Sequence, residues 1–416
     1  MKNNQSFWPS KNIQLVTRWR DKKRNSLVTT VEETAIRALL PGEILVKIIA
    51  IPAHGSFWLA THPRAIHPRI DEFIRDGYFV FGNGGVGQII AVSTKRDNVK
   101  IGDYVAIFGH SPCSHKNCYS CRRLHRYVEC DYGEGTIIGH GKGANDGTFA
   151  QYAILPEYSW EICFREEERP TMDQLLPFMF SFLVADVRNA LTRNPAIFLK
   201  KRVILVGAGR SGFLAALLLI SRNPKLKIFA VDINNERNRI IRSVDPDRIA
   251  SAVIPTYSDD LSSGKRVPSG YPGRKREEAI QNISSLARKH FGGRKCDLFL
   301  DFSSGDSSWL WANDKILSPG TYCILFGFGI STLSLPKEVL QLSGLTLQFS
   351  RGVGNISNRR ASIEFIKGSG GDLIRKYLIK DSLGISGLSG FVEYLDTVYN
   401  KLGEIGDIKE IYLISN

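Results

Sequence analysis

The stretch RVILVGAGRSGFLAALLLI, residues 202–220, decides the fold. A short β-branched run leads into Gly207, Gly209 and Gly212, which have GxGxxG spacing, and an apolar helix candidate follows directly. In this strand–turn–helix setting the first glycine makes the tight turn, the second lets a pyrophosphate approach the backbone, and the third lets helix and strand pack. The N–H groups at the start of the helix then face the phosphates. The stretch therefore predicts a dinucleotide-binding fold.

The next strand candidate, KIFAVD (227–232), ends on an acidic residue 20 positions after Gly212. A carboxylate at this point binds the ribose hydroxyls and repels a 2′-phosphate, so the sequence favours NAD over NADP. Arg237 and Arg239 follow closely and weaken that preference. The predicted cofactor-binding residues are Gly207, Gly209, Arg210, Ser211, Gly212, Asp232 and Arg237.

Two different patterns flank this motif. On its C-terminal side, short apolar runs at 296–302, 321–327 and 345–350 are separated by helix-length segments, which is typical of a parallel sheet with crossover helices. On its N-terminal side, β-rich runs such as GEILVKIIAI (42–51) are separated by glycines, as in a small barrel or sandwich. A second glycine run, residues 82–87, precedes a strand candidate rather than a helix, so we interpret it as a turn. The predicted class is α/β, with a doubly wound parallel sheet and a β-rich domain.

Four of the seven cysteines lie in one 18-residue window, as Cys113-x4-Cys118-x2-Cys121-x8-Cys130. Four thiolates this close suit a tetrahedral zinc ion that stabilises a lobe with little core of its own. Because all four ligands are sulfur, such a site has no open position for a catalytic water. A redox CxxC pair is the competing interpretation, but it leaves the outer two cysteines unexplained. The sequence predicts a structural zinc lobe.

Together these features resemble the medium-chain dehydrogenase/reductase superfamily, the zinc-containing alcohol dehydrogenase family. The resemblance covers nearly the whole chain and rests on the cysteine lobe and on PGEILVKI (41–48), VGQIIAVS (86–93), KIGDYVAIF (100–108), DGTFAQY (146–152), VGAGRSG (206–212) and LSPGTYCILFG (317–327). It implies a GroES-like β-barrel catalytic domain over 1–184 with its zinc lobe at 113–130, and a Rossmann core over 185–336 whose sheet continues to about residue 350. It further implies a return segment, 351–416, on the catalytic domain, and a homodimer or homotetramer.

The chain departs from this family at the catalytic metal. Zinc-using members take one ligand from a Cys-Gly-Ser/Thr-Asp segment and another from Gly-His-Glu. Here these segments read HGSF (54–57) and GNG (82–84), and no cysteine stands at 181–186, where a third ligand would fall. The third ligand can also be acidic, and Asp186 is a candidate, but one imidazole, a neutral amide and Asp186 match three-ligand zinc poorly. We therefore expect structural zinc only.

Without that Lewis acid, a side chain must manage the proton on the substrate oxygen. His54 can exchange a proton at neutral pH, Ser56 stands where the family's hydroxyl relays protons, and Asn83 can donate its amide to the oxygen. The predicted function is NAD(H)-dependent interconversion of an alcohol (a polyol, sugar or amino-alcohol) and a carbonyl. The alternatives are an enoyl- or quinone-type C=C reductase, and a non-catalytic NAD(H)-binding sensor.

The composition is basic, with 55 Lys+Arg against 41 Asp+Glu and a net charge of +14. Part of this charge lies in a polar insertion, residues 257–275, which we interpret as a solvated loop because it lacks the aromatic interleaving of a nucleic-acid site. The insertion and an N-terminal extension make the chain longer than the family requires. No signal-like N-terminus and no continuous apolar run of ~18–20 residues are evident. We expect a cytoplasmic protein with a small-molecule substrate and no nucleic-acid or membrane partner.

Overall fold

The computed structural model describes residues 8–53, 57, 60–63, 70–74, 77–93, 98–113, 115–132, 136–139, 146–254, 273–303, 315–326, 344–350, 352–380, 383–400 and 411–414. The chain divides into two compact units. Unit 1 comprises Met1–Ala185, Gly352–Lys401 and Ile408–Asn416, and unit 2 comprises Asp186–Arg351 and Leu402–Asp407. The segment after the parallel sheet therefore returns to the first unit.

The strands and helices follow the predicted alternation. The strands are β1 Lys11–Asp21, β2 Ser26–Ala35, β3 Ile44–Ala53, β4 Tyr78–Val80, β5 Gly85–Val92, β6 Tyr104–Ile107, β7 His110–Ser111, β8 Thr136–Ile137, β9 Tyr152–Leu155, β10 Trp160–Phe164, β11 Arg202–Val206, β12 Lys227–Asp232, β13 Ile249–Val253, β14 Cys296–Asp301, β15 Leu317–Phe326, β16 Thr346–Ser350, β17 Leu383–Ser386 and β18 Ile411–Ile414. The helices are α1 Ile70–Phe73, α2 Tyr119–Arg122, α3 Met172–Leu175, α4 Ser181–Thr192, α5 Arg210–Arg222, α6 Asn235–Val244, α7 Gly273–His290, α8 Ile356–Lys367, α9 Ser369–Ile374 and α10 Leu388–Asn400.

Unit 1 is built on antiparallel pairing. A seven-stranded sheet has the order β10-β6-β5-β3-β18-β17, with β9 paired to β3. The strand that was predicted at 42–51 runs from Ile44 to Ala53, and seven of its ten residues are buried. The glycine run at 82–87 leads into β5, so its interpretation as a turn before a strand is confirmed.

The N-terminal region is not a mere extension. β1 pairs with β2 from Lys11↔Ala35 to Asp21↔Ser26 and with β4 at Val16↔Val80, forming a second, three-stranded sheet. Leu15 and Val16 are buried. This part of the chain therefore contributes to the core of unit 1, although the sequence analysis predicted no strand in it.

Unit 2 contains a six-stranded parallel sheet in the order β13-β12-β11-β14-β15-β16. The order reverses beside β11, which is the arrangement of a doubly wound sheet and places a ligand-binding crevice at the carboxyl ends of its strands. The Rossmann-type sheet and the separate antiparallel domain confirm the predicted fold class.

One helical stretch, Met172–Thr192, is long and apolar enough to cross a membrane by length and composition alone. However, 72% of its most apolar window is buried inside the protein. We interpret it as a core helix, because a side chain that already packs against protein is not available to lipid.

Candidate active site and cysteine lobe

The four predicted zinc ligands come together in unit 1. The Sγ atoms of Cys113, Cys118, Cys121 and Cys130 all lie within 4.8 Å of one another, and none of these cysteines forms a disulfide. The first three are buried and Cys130 is partly buried. Four convergent thiols at this spacing fit a tetrahedral thiolate site. Among the described residues, they form the one such group of metal-ligating side chains.

Two residues that sequence reasoning missed hold this lobe in shape. Asp131, directly after the fourth cysteine, accepts hydrogen bonds from the Ser120 backbone N–H (3.1 Å) and hydroxyl (2.6 Å). These bonds lower the pKa of the Asp131 carboxyl. Arg122 Nη2 donates to the Cys113 carbonyl at 2.6 Å. These three bonds tie the segment around the CxxC turn to Cys113 and to the residue after Cys130.

The glycine turn in unit 2 has the geometry that a dinucleotide requires. Gly207 has φ +87°, in the left-handed region, and α5 begins at Arg210 with Gly209 as its N-cap. A β-carbon at Gly212 would lie 1.9 Å from the Gly207 carbonyl oxygen, whereas one at Gly209 would meet nothing closer than 3.9 Å. The third glycine is therefore needed for packing, and the second leaves open space where a pyrophosphate would approach.

Asp232 does more than the sequence predicted. Its Oδ2 accepts from the Ala208 N–H at 2.6 Å, inside the glycine turn, and its Oδ1 accepts from the Asn234 N–H at 2.8 Å. The side chain is buried. A ribose would therefore meet a carboxylate that the backbone already holds in place, which reduces the ordering cost of binding.

Two predicted cofactor residues are neighbouring cations, Arg210 at the start of α5 and Arg237 in the first turn of α6. Burial and the charge of Arg237 lower the pKa of the Arg210 guanidinium to about 9. Two cations that repel each other at a helix N-terminus are stabilised by a bound anion. Ser211 follows Arg210 in the first turn of the same helix.

In unit 1, Asn83 lies in a buried turn. Its neighbour Gly82 has φ +112°, and Thr148 donates its hydroxyl to the Gly84 carbonyl at 2.7 Å. A β-carbon at Gly109 would lie 2.1 Å from the Asn83 carbonyl oxygen, so the two turns are in close contact. The amide is thus positioned in a water-poor setting. His54 and Ser56 lie outside the described residues.

A buried histidine near this turn also escaped sequence reasoning. His110 follows Gly109 directly, and its ring stacks on Phe182 with centroids 5.4 Å apart. Its Nδ1 lies 2.9 Å from the Phe108 carbonyl oxygen. Its contact with Phe182 joins positions 72 residues apart, and the local sequence around His110 gives no signal of it.

The segment that holds β3 to β10 and the lobe matches a known domain. A model of the alcohol dehydrogenase GroES-like domain matches residues 40–163. The L-threonine 3-dehydrogenase of Saccharopolyspora erythraea is 27% identical over 235 residues, which cover 54% of this chain and 63% of that protein. The D-xylulose reductase A of Aspergillus oryzae is 23% identical over 271 residues, 65% of each chain. The domain match and these relatives support the medium-chain dehydrogenase/reductase superfamily that the sequence resembles.

Solved structures of similar fold cover nearly the whole chain. An alcohol dehydrogenase from Thermotoga maritima superposes with a TM-score of 0.70 at 17% identity, covering 98% of this chain and all of the other. A crotonyl-CoA carboxylase/reductase in complex with NADP superposes with a TM-score of 0.72 at 14% identity, covering 98% and 96%. The sequence matches are shorter, since they span less than two thirds of the two curated relatives.

Proposed function

We propose that this medium-chain dehydrogenase/reductase is an NAD(H)-dependent oxidoreductase that interconverts an alcohol and a carbonyl by hydride transfer. The glycine turn braced by Asp232 carries the proposal. It combines an open approach at Gly209, a fixed carboxylate for the ribose, and two cations for the pyrophosphate. The relatives are named for L-threonine and D-xylulose, which supports an amino-alcohol, polyol or sugar as the substrate.

We also propose that the cysteine lobe binds one structural zinc ion. Four thiols within 4.8 Å, three of them buried, fit a closed tetrahedral shell. Cys113, Cys118, Cys121 and Cys130 would be the ligands. Because such a shell has no open position, the ion would stabilise the lobe and would take no part in hydride transfer.

We assign the catalytic roles to His54 and Asn83, which stand where the family has metal ligands, and to Ser56, which stands where the family has its proton-relaying hydroxyl. A bound nicotinamide supplies the hydride acceptor or donor. In alcohol oxidation, Ser56 passes the hydroxyl proton to His54 as the hydride leaves the substrate carbon, and in reduction the proton returns along the same route. Asn83 donates its amide to the substrate oxygen and stabilises the negative charge that develops there. We expect no catalytic zinc, because an amide stands at the position of the family's histidine ligand.

Turnover assays with NAD and a panel of polyols, sugars and amino-alcohols test this proposal. We expect His54→Ala to lower kcat by about 10²–10⁴-fold without changing the dissociation constant for NADH. Asn83→Ala should lower kcat by about 10²-fold. Full turnover in His54→Ala with the true substrate would remove His54 from the mechanism.

Two rival functions have their own readouts. A C=C reductase is favoured by the neutral amide at Asn83, because the carbonyl of an enoyl substrate holds the developing charge itself. The crotonyl-CoA carboxylase/reductase of similar fold also supports a C=C reductase. Reduction of a 2-enoyl thioester or a quinone, with no activity on alcohols, would select it. NADH binding without turnover on any panel member would instead select a non-catalytic sensor.

A further inference from the structure

The excess positive charge of the chain is concentrated at one edge of unit 2. All six strands of its sheet are parallel, so their amino ends lie along the same edge. The described residues of the segments at this edge, which we call the amino edge, include twelve lysines and arginines and three aspartates. The basic residues are Lys200, Lys201, Arg202, Arg222, Lys225, Lys227, Arg248, Arg288, Lys289, Arg294, Lys295 and Lys315, and the aspartates are Asp245, Asp247 and Asp297.

Hydrogen bonds show that these segments form one continuous surface. Lys227 Nζ donates to the His290 carbonyl at 3.1 Å, and His290 Nε2 lies 3.1 Å from the Arg248 carbonyl oxygen. Arg248 Nη1 reaches the Asn223 carbonyl at 3.3 Å, and Asn223 Nδ2 donates to the Lys200 carbonyl at 2.9 Å. These bonds connect the start of β12 to the end of α7, to the residue before β13, to the segment after α5 and to the segment before β11.

The remaining strands join the same surface. Arg202 Nε donates to the Lys295 carbonyl at 2.7 Å, and Arg288 Nη2 donates to the Lys315 carbonyl at 3.1 Å. Two of the three aspartates are already in ion pairs, Asp297 with Arg202 and Asp245 with Arg248. A large positive surplus is therefore left facing solvent.

The cofactor turn does not use this charge. Gly207 follows the carboxyl end of β11, at the opposite edge of the same sheet. Basic residues at the end of a helix, such as Arg222 in α5, offset the helix dipole. That explanation does not extend to Lys200 and Lys201, which precede β11. It does not extend to Lys225 and Lys227 either, which lie just before β12 and at its first residue. Their clustering is not required by the fold.

An apolar projection stands within the basic surface. Leu199, in the turn Pro195–Leu199 before β11, is 77% exposed, the highest value for any large apolar side chain among the described residues. Beside it, Phe198 lies under the Arg222 guanidinium, 5.1 Å from the ring centroid. Lys200 and Lys201 follow directly. An exposed aliphatic side chain that two lysines follow directly in the chain suits an anionic lipid interface, where the apolar group and the cations are both used.

We propose that the amino edge of unit 2 docks on an anionic lipid bilayer surface, with the basic residues against the headgroups and Leu199 in the acyl boundary. Each Lys or Arg near an anionic membrane adds to the attraction, and one buried leucine supplies the apolar part. This is peripheral binding and needs no membrane-spanning segment. The cofactor turn, at the opposite edge, stays accessible.

A nucleic acid is the competing polyanion, and Leu199 argues against it. Binding to single strands uses exposed aromatic rings on which bases stack, whereas the ring here, Phe198, is partly buried under a guanidinium. Binding to duplex phosphates gains nothing from an exposed aliphatic side chain. An anionic lipid surface would interact with both the cations, through its headgroups, and Leu199, through its acyl chains.

Co-sedimentation with vesicles tests the proposal in the full-length protein. The probes are pure phosphatidylcholine vesicles and phosphatidylcholine vesicles with roughly one third phosphatidylserine. We expect binding to the anionic vesicles only, and loss of binding between about 50 and 300 mM salt. Lys200→Gln/Lys201→Gln should weaken binding by about tenfold or more. Leu199→Gln, which changes no charge, should weaken it about three- to tenfold.

The control variant is Lys22→Gln/Lys23→Gln, which removes the same charge from the exposed β1–β2 turn of unit 1 and should bind vesicles like the unaltered protein. Thermal unfolding and NADH affinity should be unchanged in all variants. No binding to anionic vesicles at low salt would overturn the proposal. The proposal would also fail if Leu199→Gln weakened binding to vesicles and binding to duplex DNA by the same factor. It would fail as well if Leu199→Gln weakened neither, because in both cases the surface would act as a general polyanion site.

Discussion

The guanidinium of Arg359 lies 5.0 Å above the ring centroid of Tyr127 and is completely buried. Tyr127 packs against Cys113, Cys118 and Cys121, whereas Arg359 belongs to α8 in the return segment. Arg359 also donates to the Tyr158 carbonyl. One buried cation thus joins the return segment of unit 1 to the cysteine lobe. The partial burial of His125 lowers the pKa of that histidine, and the charge of Arg359 lowers it further.

Replacing this cation should be costly. We expect Arg359→Ala to lower the free energy of unfolding by about 3 kcal/mol, because it removes a desolvated cation–π contact, a charged hydrogen bond and a large buried side chain. Urea unfolding followed by circular dichroism measures the loss. The matched control is Arg360→Ala, whose side chain is 69% exposed and pairs with Glu161, with an expected cost below about 1 kcal/mol. Equal losses in the two variants would contradict the role given to Arg359.

The glycine turn permits a separation of cofactor binding from stability. We expect Gly209→Ala to fold normally, because a β-carbon there meets nothing closer than 3.9 Å, and to lose at least about tenfold in NADH affinity, because the methyl group occupies the pyrophosphate approach. Gly212→Ala should lose both affinity and about 3 kcal/mol of stability, because its β-carbon would lie 1.9 Å from a backbone oxygen. Fluorescence titration and thermal unfolding of each variant give the two readouts. Unchanged NADH affinity in Gly209→Ala would argue against a dinucleotide at this turn.

Asp232 should matter to both the apo protein and the complex. In Asp232→Asn one of the two backbone N–H groups, Ala208 or Asn234, loses its acceptor, since only one amide atom can accept. We expect a loss of about 2 kcal/mol in unfolding free energy, roughly tenfold weaker NADH binding, and a smaller preference for NADH over NADPH. The exposed carboxylate Glu236, changed to Gln, serves as the control. A loss of NADH affinity in Asp232→Asn with no loss of stability would show that Asp232 contacts only the ribose.

The zinc lobe can be tested without an assay of activity. We expect one zinc ion per chain by elemental analysis, and none in Cys118→Ser, with a stability loss of about 3 kcal/mol or more. Cys163→Ser alters an equally buried cysteine outside the lobe and should keep its zinc. A chelator should remove zinc faster from Arg359→Ala than from the unaltered protein, because Tyr127 then loses its support beneath the cysteines. Full zinc content in Cys118→Ser would contradict the ligand assignment.

The features that sequence reasoning captured are local. The glycine turn, the strands on either side of it and the closely spaced cysteines each depend on residues within about one supersecondary unit, so spacing and periodicity were sufficient. β15 shows the limit, because it starts at Leu317 rather than 321. A register shift between Cys296↔Leu317 and Leu298↔Tyr322 accommodates the extra residues. Irregularities of this kind depend on the partner strand.

The features that were missed depend on contacts between distant parts of the chain. The N-terminal hairpin is fixed by pairing such as Val16↔Val80, and Arg359 reaches a tyrosine 232 positions earlier. The net charge gave no hint that its surplus lies at the strand edge opposite the cofactor turn. That arrangement requires knowing that residues from separate segments, such as Lys201 and Lys227, meet. His110 beside the Asn83 turn is a case of the same kind.

His290 links stability to pH. Burial lowers its pKa below the usual value of 6.5, and the charge of Lys227 lowers it further. The unfolded chain takes up the proton near pH 6.5 while the folded protein resists it, so this stability is fully present above that pH and is lost as the pH falls below it. We expect His290→Gln to flatten the decline in unfolding free energy between about pH 7 and 5, measured by urea titration at each pH. Lys227→Gln should flatten this decline less than His290→Gln does. Burial also lowers the pKa of His125, so the part of the decline due to His125 should remain in both variants. A decline as steep in His290→Gln as in the unaltered protein would show that another group binds the proton.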